Sequence, residues 1–272
     1  MDSGASAILL DAGGVLVFPS EEVLLPPLAA AGVPLDTAAL ERAHYHAMMV
    51  QDLAAAPPAA GTWWREYLVS FIAACGVPEA RCTALAAEIA GVATDHSWAN
   101  VGSGAVGGLR ALAALGLPMG VVSNSDGTVE AELRRLGLCY APDGQHHDQH
   151  GGQEPAPHRD HHGGQEPAPP AQEPAGIPVG VVVDSAVAGV AKPDPAIFRI
   201  ALDALGVPPS RTVLHVGDSL RFDVAGALAA GLQPVHLDPY GFCPNPDGHP
   251  HIRALAELAG MLDGPDPIGL RR

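Results

Sequence analysis

This chain of 272 residues has little lysine and no long apolar run. Only one of its 14 basic residues is a lysine, Lys192. The longest uncharged stretch, residues 111–125, contains two glycines and a proline and is shorter than the ~20 residues that cross a bilayer. The first residues lack the positive charge of a secretory signal. We therefore expect a cytoplasmic protein that is soluble and has no membrane-spanning segment.

Positive charge is also scarce, since the formal net charge is −16. Such a chain offers no electrostatic surface for nucleic acid or for anionic lipid. If it acts on an anionic small molecule, it needs a local cation, and the lone lysine is a candidate. The four cysteines form no CxxC pair, so we expect buried thiols and no disulfide framework. The sequence does not indicate an oligomeric state.

One segment differs from the rest in composition. Residues 143–175 contain the sequence HGGQEPAP twice, at 150–157 and 162–169, and six of the 13 histidines. A tract with so few apolar residues has almost nothing to bury, so we expect a disordered insertion. A weak metal-binding tract of histidine and aspartate is the alternative.

Short β-branched runs alternate with helical patterns through much of the chain. We predict buried parallel strands at 7–10, 119–122, 181–183, 212–216 and 234–237. Apolar residues recur at helical spacing between these runs, and this alternation predicts a doubly wound parallel α/β sheet of Rossmann-like type. Residues 18–99 contain helical patterns without strand runs. The expected segments are core 1–17, helical cap 18–99, core 100–142, insertion 143–175 and core 176–272.

Polar residues follow the predicted strands. In an open α/β sheet, ligands bind beyond the carboxyl ends of the strands, so these residues should meet at one edge. They are Asp11, Ser123 with Asn124, Lys192, and Asp218 with Asp223. Crowded carboxylates stay ionised only beside a cation, and oxygen ligands suit Mg²⁺. An aspartate can act as a covalent nucleophile, while a hydroxyl and an ammonium can hold a phosphoryl group.

Four motifs, in their order along the chain, resemble those of the haloacid dehalogenase superfamily of aspartate-nucleophile hydrolases. They are DAGGVL (11–16), VVSNS (121–125), AKPDP (191–195) and GDSLRFD (217–223). The resemblance implies a phosphatase with a helical cap, acting on a small phosphorylated metabolite. It implies Asp11 as nucleophile, and Ser123, Asn124 and Lys192 as phosphate-binding residues. It also implies a Mg²⁺ site formed by Asp11, Asp218, Asp223 and the carbonyl oxygen of Gly13.

Gly13 departs from the family pattern. Phosphatases of this superfamily usually carry an aspartate there as general acid and base, a function typically worth ~10²–10⁴-fold in rate. Three interpretations stay open. The substrate has a good leaving group, a cap residue such as His44 or His46 supplies the proton, or the protein mainly binds ligands. A metal-independent 2-haloacid dehalogenase is a further alternative, because those relatives also lack the second acid. The acidic motif at 217–223 favours the phosphatase.

Overall fold

The computed structural model describes residues 4–55, 62–92, 98–142 and 175–264. Apart from Ala175, the predicted insertion lies outside these ranges. Within them, no helix combines the length and the apolarity that a bilayer crossing requires. The described cysteines are all buried and free, as expected.

A six-stranded, fully parallel sheet forms the centre of the protein, in the order β10-β9-β8-β1-β4-β7. The five predicted strands are confirmed, each end within one residue. The strands of this sheet are β1 Ala7–Leu10, β4 Met119–Ser123, β7 Val181–Asp184, β8 Val213–Gly217, β9 Gln233–Leu237 and β10 His251–Ile252.

Both faces of this sheet are covered. Ile8 and Leu10 contribute to one apolar cluster with helices α5 (Ala105–Ala113) and α10 (Leu255–Asp263). Ala7 and Leu9 contribute to another with α8 (Pro195–Leu205) and α9 (Ala225–Ala229). Successive side chains of a strand point to opposite faces, so a strand buried on both sides is apolar at every position. The continuous apolar run of β1 is explained by these two clusters.

Helices connect the strands and cover the sheet. Their bounds are α1 Glu21–Ala30, α2 Thr37–Leu53, α3 Trp63–Ala74, α4 Glu79–Val92, α5 Ala105–Ala113, α6 Val129–Arg135, α7 Ser185–Ala188, α8 Pro195–Leu205, α9 Ala225–Ala229 and α10 Leu255–Asp263. A π-helical turn, Leu220–Val224, leads directly into α9. The doubly wound α/β fold is thereby confirmed.

Helices α1–α4 form the helical block predicted after the first strand, and they share an apolar cluster of their own. Its division from the core as a separate cap domain stays a prediction.

Two details of the helical block differ from the sequence pattern. Helix α1 contains two prolines and was not predicted, and Val50, which fits the apolar spacing of α2, is 44% exposed. The apolar face of α2 is therefore narrower at its C-terminal end than the spacing indicates.

Two short ribbons complete the structure. Strand β2 (Val17–Phe18) pairs antiparallel with β3 (Asn100–Val101), at the two ends of the segment that contains the helical block. Strand β5 (Cys139–Tyr140) pairs parallel with β6 (Ile177–Pro178), on either side of the segment 143–174.

Candidate active site

The predicted site residues converge at the carboxyl edge of the sheet. Asp11 directly follows β1, Ser123 ends β4 and Asp218 directly follows β8. Because these three strands are parallel neighbours, their ends open on the same side. One carboxylate oxygen of each of Asp11, Asp218 and Asp223 lies within 4.8 Å of the others.

Lys192, the only lysine, lies between two of these carboxylates. Its Nζ lies 2.8 Å from Asp11 Oδ2 and 2.7 Å from Asp223 Oδ1, and its side chain is buried. Burial disfavours the ammonium, but these two carboxylates keep the pKa of Lys192 above its usual value. A compact ammonium on a flexible stem fits between two carboxylates in a way that a planar guanidinium does not. This site gives a physical reason for a lysine in an arginine-rich chain.

Burial also sets the protonation of Asp11. The pKa of its carboxyl is raised from 3.8 to about 7, chiefly by desolvation; the charges of Asp223 and Asp218 contribute to the rise, and Lys192 opposes it. Asp223 behaves in the opposite way. Burial alone would raise its pKa, but Lys192 and His215 hold it well below its usual range. In this geometry Asp223 is therefore the ionised partner of Lys192.

Asp223 is fixed by three donors. Oδ1 accepts hydrogen bonds from Lys192 Nζ and from His215 Nε2, at 2.9 Å, and Oδ2 accepts one from the backbone N–H of Ser219. A Cβ on Gly217 would overlap the carboxylate of Asp223, so glycine is required there for this close approach. The π-helical turn returns Asp223 to the end of the strand that it follows. Asp223 therefore positions Lys192 and is itself held beside Asp11 and Asp218.

Asn124 holds the loop that carries Lys192. Its side-chain N–H donates to the carbonyl oxygen of Lys192 at 3.0 Å, and its side-chain oxygen accepts from the N–H of Lys192 at 2.8 Å. Asn124 therefore positions the loop of Lys192, and its contact with a phosphate stays a prediction. Ser123 is buried at the end of β4. Asp184 accepts from the N–H groups of Gly127 and Ala186 and so ties the loop after β4 to β7.

Position 13 faces an aromatic ring. A Cβ on Gly13 would lie 3.2 Å from Cζ3 of Trp98, which is tighter than an ordinary contact. A side chain at this position, including the aspartate usual in the superfamily, would need the indole to shift by a few tenths of an ångström. The next position is stricter, because Gly14 has φ +70° and its Cβ would overlap Asp218 Oδ2.

A histidine from helix α2 contacts one of these carboxylates, that of Asp218. His44 Nε2 lies 2.7 Å from Asp218 Oδ2, and its Nδ1 lies 2.8 Å from the hydroxyl of Tyr67. His44 is almost completely buried, and the rings that surround it include those of Phe18, Tyr45 and Trp98. Of the two histidines considered from sequence, this one enters the site. His46 is exposed and packs edge-on against the ring of Phe242.

Asp52, in the last turn of α2, attaches the helical block to the segment that follows β8. Its carboxylate accepts hydrogen bonds from Ser219 Oγ and from the N–H groups of Leu220 and Arg221, at 2.7, 2.5 and 3.2 Å. Arg221 donates in return to the carbonyl oxygen of Ala54 at 2.7 Å. Burial raises the pKa of Asp52 to about 6, against the lowering effect of these hydrogen bonds. The segment that follows Asp218 is therefore clamped by α2.

The sequence interpretation missed Asp52 and the role of Trp98. One signal for Asp52 was present, because an acid in the last turn of a helix is disfavoured by the helix dipole unless it has an outside partner. Trp98 gave no such signal, since a lone tryptophan before a glycine-rich turn is compatible with simple packing.

Comparisons with known proteins find similar hydrolases. Residues 164–231 match the family described as haloacid dehalogenase-like hydrolase. A phosphoserine phosphatase of Thermus thermophilus is 42% identical over 74 residues, which are 27% of this chain and 29% of that protein. The haloacid dehalogenase-like hydrolase domain-containing protein 3 of Bos taurus is 29% identical over 209 residues, 74% of this chain and 67% of that protein. The chain thus aligns with less than a third of the length of the phosphoserine phosphatase.

Solved structures share the fold. The magnesium-bound HAD-hydrolase YfnB of Bacillus subtilis has a TM-score of 0.55 at 17% identity, covering 96% of this chain and 99% of that chain. A HAD phosphatase of Thermococcus onnurineus has a TM-score of 0.51 at 20% identity, covering 95% and 98%. A dehalogenase with an intermediate complex has a TM-score of 0.52 at 18% identity, covering 96% and 98%. At these identities the likeness concerns the architecture alone.

Proposed function

Since the chain belongs to the haloacid dehalogenase-like hydrolase superfamily, we propose that it is a Mg²⁺-dependent phosphatase of small phosphorylated metabolites that reacts through an aspartyl-phosphate at Asp11. The observation that carries this proposal is the contact of Lys192 Nζ with Asp11 at 2.8 Å, beside Asp218 and Asp223. The site thus combines a carboxylate that can act as nucleophile, a buried cation for the phosphoryl group and further carboxylates for a metal. The name of the phosphoserine phosphatase of Thermus thermophilus supports this proposal.

The carboxylates fit a divalent cation. When ionised, Asp11, Asp218 and Asp223 carry three negative charges, and Lys192 compensates one of them. Buried charge of this kind requires a partner, and oxygen ligands at this spacing suit Mg²⁺. We assign Asp11, Asp218 and the carbonyl oxygen of Gly13 to the metal, assisted by Asp223, which holds Lys192. When bound, the ion would neutralise charge on the phosphoryl oxygens.

The reaction follows from these positions. A carboxylate oxygen of Asp11 attacks phosphorus, the bond from phosphorus to the ester oxygen breaks, and the alcohol leaves. Lys192 and Ser123 stabilise the phosphoryl oxygens, whose charge is spread in the transition state. Water then attacks the phosphorus of the aspartyl-phosphate, which releases inorganic phosphate and restores the Asp11 carboxylate.

The departing alcohol needs a proton that Gly13 does not provide. We propose His44 for this role, because its Nε2 lies 2.7 Å from Asp218 Oδ2 at the carboxyl edge of the sheet and Trp98 lies next to position 13. Substrates with good leaving groups, such as acyl or anomeric phosphates, need less protonation and are the class that this site favours.

A dehalogenase is the second candidate, and the observation in its favour is Gly13 itself. A third is a weakly active phosphometabolite-binding protein, for the same reason. The acidic residues Asp218 and Asp223 argue for the phosphatase, since an enzyme that needs no metal gains nothing from crowded carboxylates.

The experiment is a hydrolysis panel of sugar, nucleotide and acyl phosphates, and of 2-haloacids, with and without Mg²⁺. We expect Mg²⁺-dependent phosphate release that is lost in Asp11→Asn. No phosphate release above that variant would refute the phosphatase, and halide release without metal would establish the dehalogenase. A single turnover in ¹⁸O-water separates the two chemistries, because a dehalogenase incorporates the label into Asp11 and a phosphatase releases it with phosphate.

A further inference from the structure

Four side chains that can bind transition metals meet on the side of the sheet formed by β9 and β10, outside the proposed catalytic group. They come from strand β9, strand β10 and the loop between them, and they are His236, Cys243, His249 and His251. One ligand atom of each lies within 4.8 Å of the others. His236 and Cys243 are buried, and the other two are half-buried. We call these residues the His₃Cys cluster.

Two backbone carbonyl groups fix the tautomers of two of these histidines. His236 Nε2 lies 3.1 Å from the carbonyl oxygen of Asp218, and His251 Nδ1 lies 2.8 Å from that of His249. A carbonyl oxygen only accepts, so each of these ring nitrogens carries the hydrogen. In the neutral rings, His236 Nδ1 and His251 Nε2 are therefore both lone-pair acceptors.

Those two acceptors face each other at 3.2 Å. Two lone pairs at this distance repel unless a positive centre lies between them. His249 Nε2 is 3.1 Å from His236 Nδ1, so a third imidazole nitrogen is directed at the same place. The thiol of Cys243 lies 4.0 Å from His249 Nε2 on the same side.

The donor set and its spacing fit zinc. Zn²⁺ takes imidazole nitrogen at about 2.0–2.1 Å in a tetrahedral site, which places the nitrogens about 3.3 Å from one another. The distances of 3.1 and 3.2 Å from His236 Nδ1 match that edge. In a tetrahedral zinc site the distance between a nitrogen and a sulfur ligand is about 3.5 Å, so Cys243 Sγ would move about 0.5 Å closer to His249 Nε2.

The surroundings have the features of a built metal site. Histidines that bind metals usually donate their other N–H to a carbonyl or carboxylate, as His236 and His251 do here. The carboxylate of Asp238 accepts the N–H groups of Phe242 and Cys243, both at 2.9 Å, and so fixes the loop that carries the thiol. Nothing in this arrangement depends on the reaction at Asp11.

We propose that the His₃Cys cluster binds one zinc ion, which holds the loop between β9 and β10 against the backbone of Asp218. The thiol loses its proton on binding and supplies the fourth, anionic ligand. Through His236 Nε2 the ion supports the backbone that presents Asp218, so it is a structural site beside the catalytic edge. The sequence signal is a cysteine followed by H-x-H, Cys243-x₅-His249-x-His251, with His236 upstream.

The test is metal analysis of protein that carries no histidine tag, grown with added zinc and dialysed against metal-free buffer. We expect about one zinc per chain, and loss of that zinc in Cys243→Ser and in His251→Ala. Two matched controls should keep it. Cys75→Ser removes a buried thiol from the helical block, and the double variant His161→Ala, His162→Ala removes histidines of the low-complexity tract. Zinc lost in the tract variant and kept in Cys243→Ser would overturn the proposal.

A second readout uses the unaltered protein, so it does not depend on whether a variant folds. After exchange with Co²⁺, we expect the charge-transfer absorption of a cobalt–thiolate bond and the intense visible bands of tetrahedral cobalt. Failure to bind zinc or Co²⁺ at neutral pH, or a cobalt spectrum without the thiolate band, would overturn the proposal. Phosphate release in Mg²⁺ is measured separately, so failure of the proposed phosphatase and failure of the zinc site are distinguishable.

Discussion

Replacing Asp11 by asparagine should change how the stability of the Mg²⁺-free protein depends on pH. Burial raises the pKa of Asp11 from 3.8 to about 7. An acid whose pKa is raised by folding stabilises the folded state fully below its unfolded pKa, and this contribution is lost as the pH rises through 7. The wild type should therefore lose stability between pH 5.5 and 8.5 that Asp11→Asn does not lose.

The magnitude follows from the same shift. The pKa rises from 3.8 to about 7, which corresponds to at most about 4 kcal/mol in the free energy of unfolding, at ~1.4 kcal/mol per pKa unit. Of this free energy, about 2 kcal/mol is lost between pH 5.5 and 8.5. In a protein of this size that is a difference of about 4–8 °C in Tm. Only this pH-dependent part is informative, because asparagine also turns an N–H toward Lys192 at every pH.

The assay is thermal or urea unfolding of both proteins across this range, in Mg²⁺-free buffer and again with saturating Mg²⁺. Asp203→Asn, which alters an exposed acid on α8, is the matched control and should follow the wild type. Saturating Mg²⁺ should lower the pKa of Asp11 and remove most of the difference. Parallel curves for wild type and Asp11→Asn in Mg²⁺-free buffer would refute this account of the carboxylate group.

Three further substitutions test the rest of the site. Lys192→Arg should destabilise the protein by about 1–3 kcal/mol, because a guanidinium overfills the space between two carboxylates; an unchanged Tm would contradict this. His44→Ala should lower kcat ~10²-fold or more on a substrate with a poor leaving group, whereas His46→Ala should leave it unchanged; equal effects would remove His44 from the proton transfer. Gly13→Asp should not raise kcat, because Trp98 occupies the adjacent space; an increase of ~10²-fold would show that the wild type lacks a working proton donor.

Strand positions could be predicted from the sequence because they depend on local composition. A strand buried on both faces is a short apolar run, and five such runs had their boundaries within one residue of the structure. The convergence of Asp11, Lys192 and Asp218 followed, since parallel strands place their carboxyl ends at one edge. Strand β10 was missed because two residues, His251 and Ile252, carry no periodicity.

Contacts between the helical block and the sheet could not be predicted in this way. The bond from His44 to Asp218 spans 174 residues and depends on how α2 packs over the sheet edge, which no local pattern encodes. The tautomers of His236 and His251 depend on two carbonyl groups whose positions appear only in the fold. The sequence could indicate which residue types were available, but not which atoms they contact.

The most direct test of the central claim is to trap the covalent intermediate. The wild type is incubated with acetyl phosphate and Mg²⁺, quenched in acid, digested and mapped by mass spectrometry. The account predicts one phosphoryl group on the peptide that contains Asp11, absent without Mg²⁺ and absent in Asp11→Asn. Hydrolysis of acetyl phosphate by the wild type with the phosphoryl group on another residue, or retained in Asp11→Asn, would contradict it.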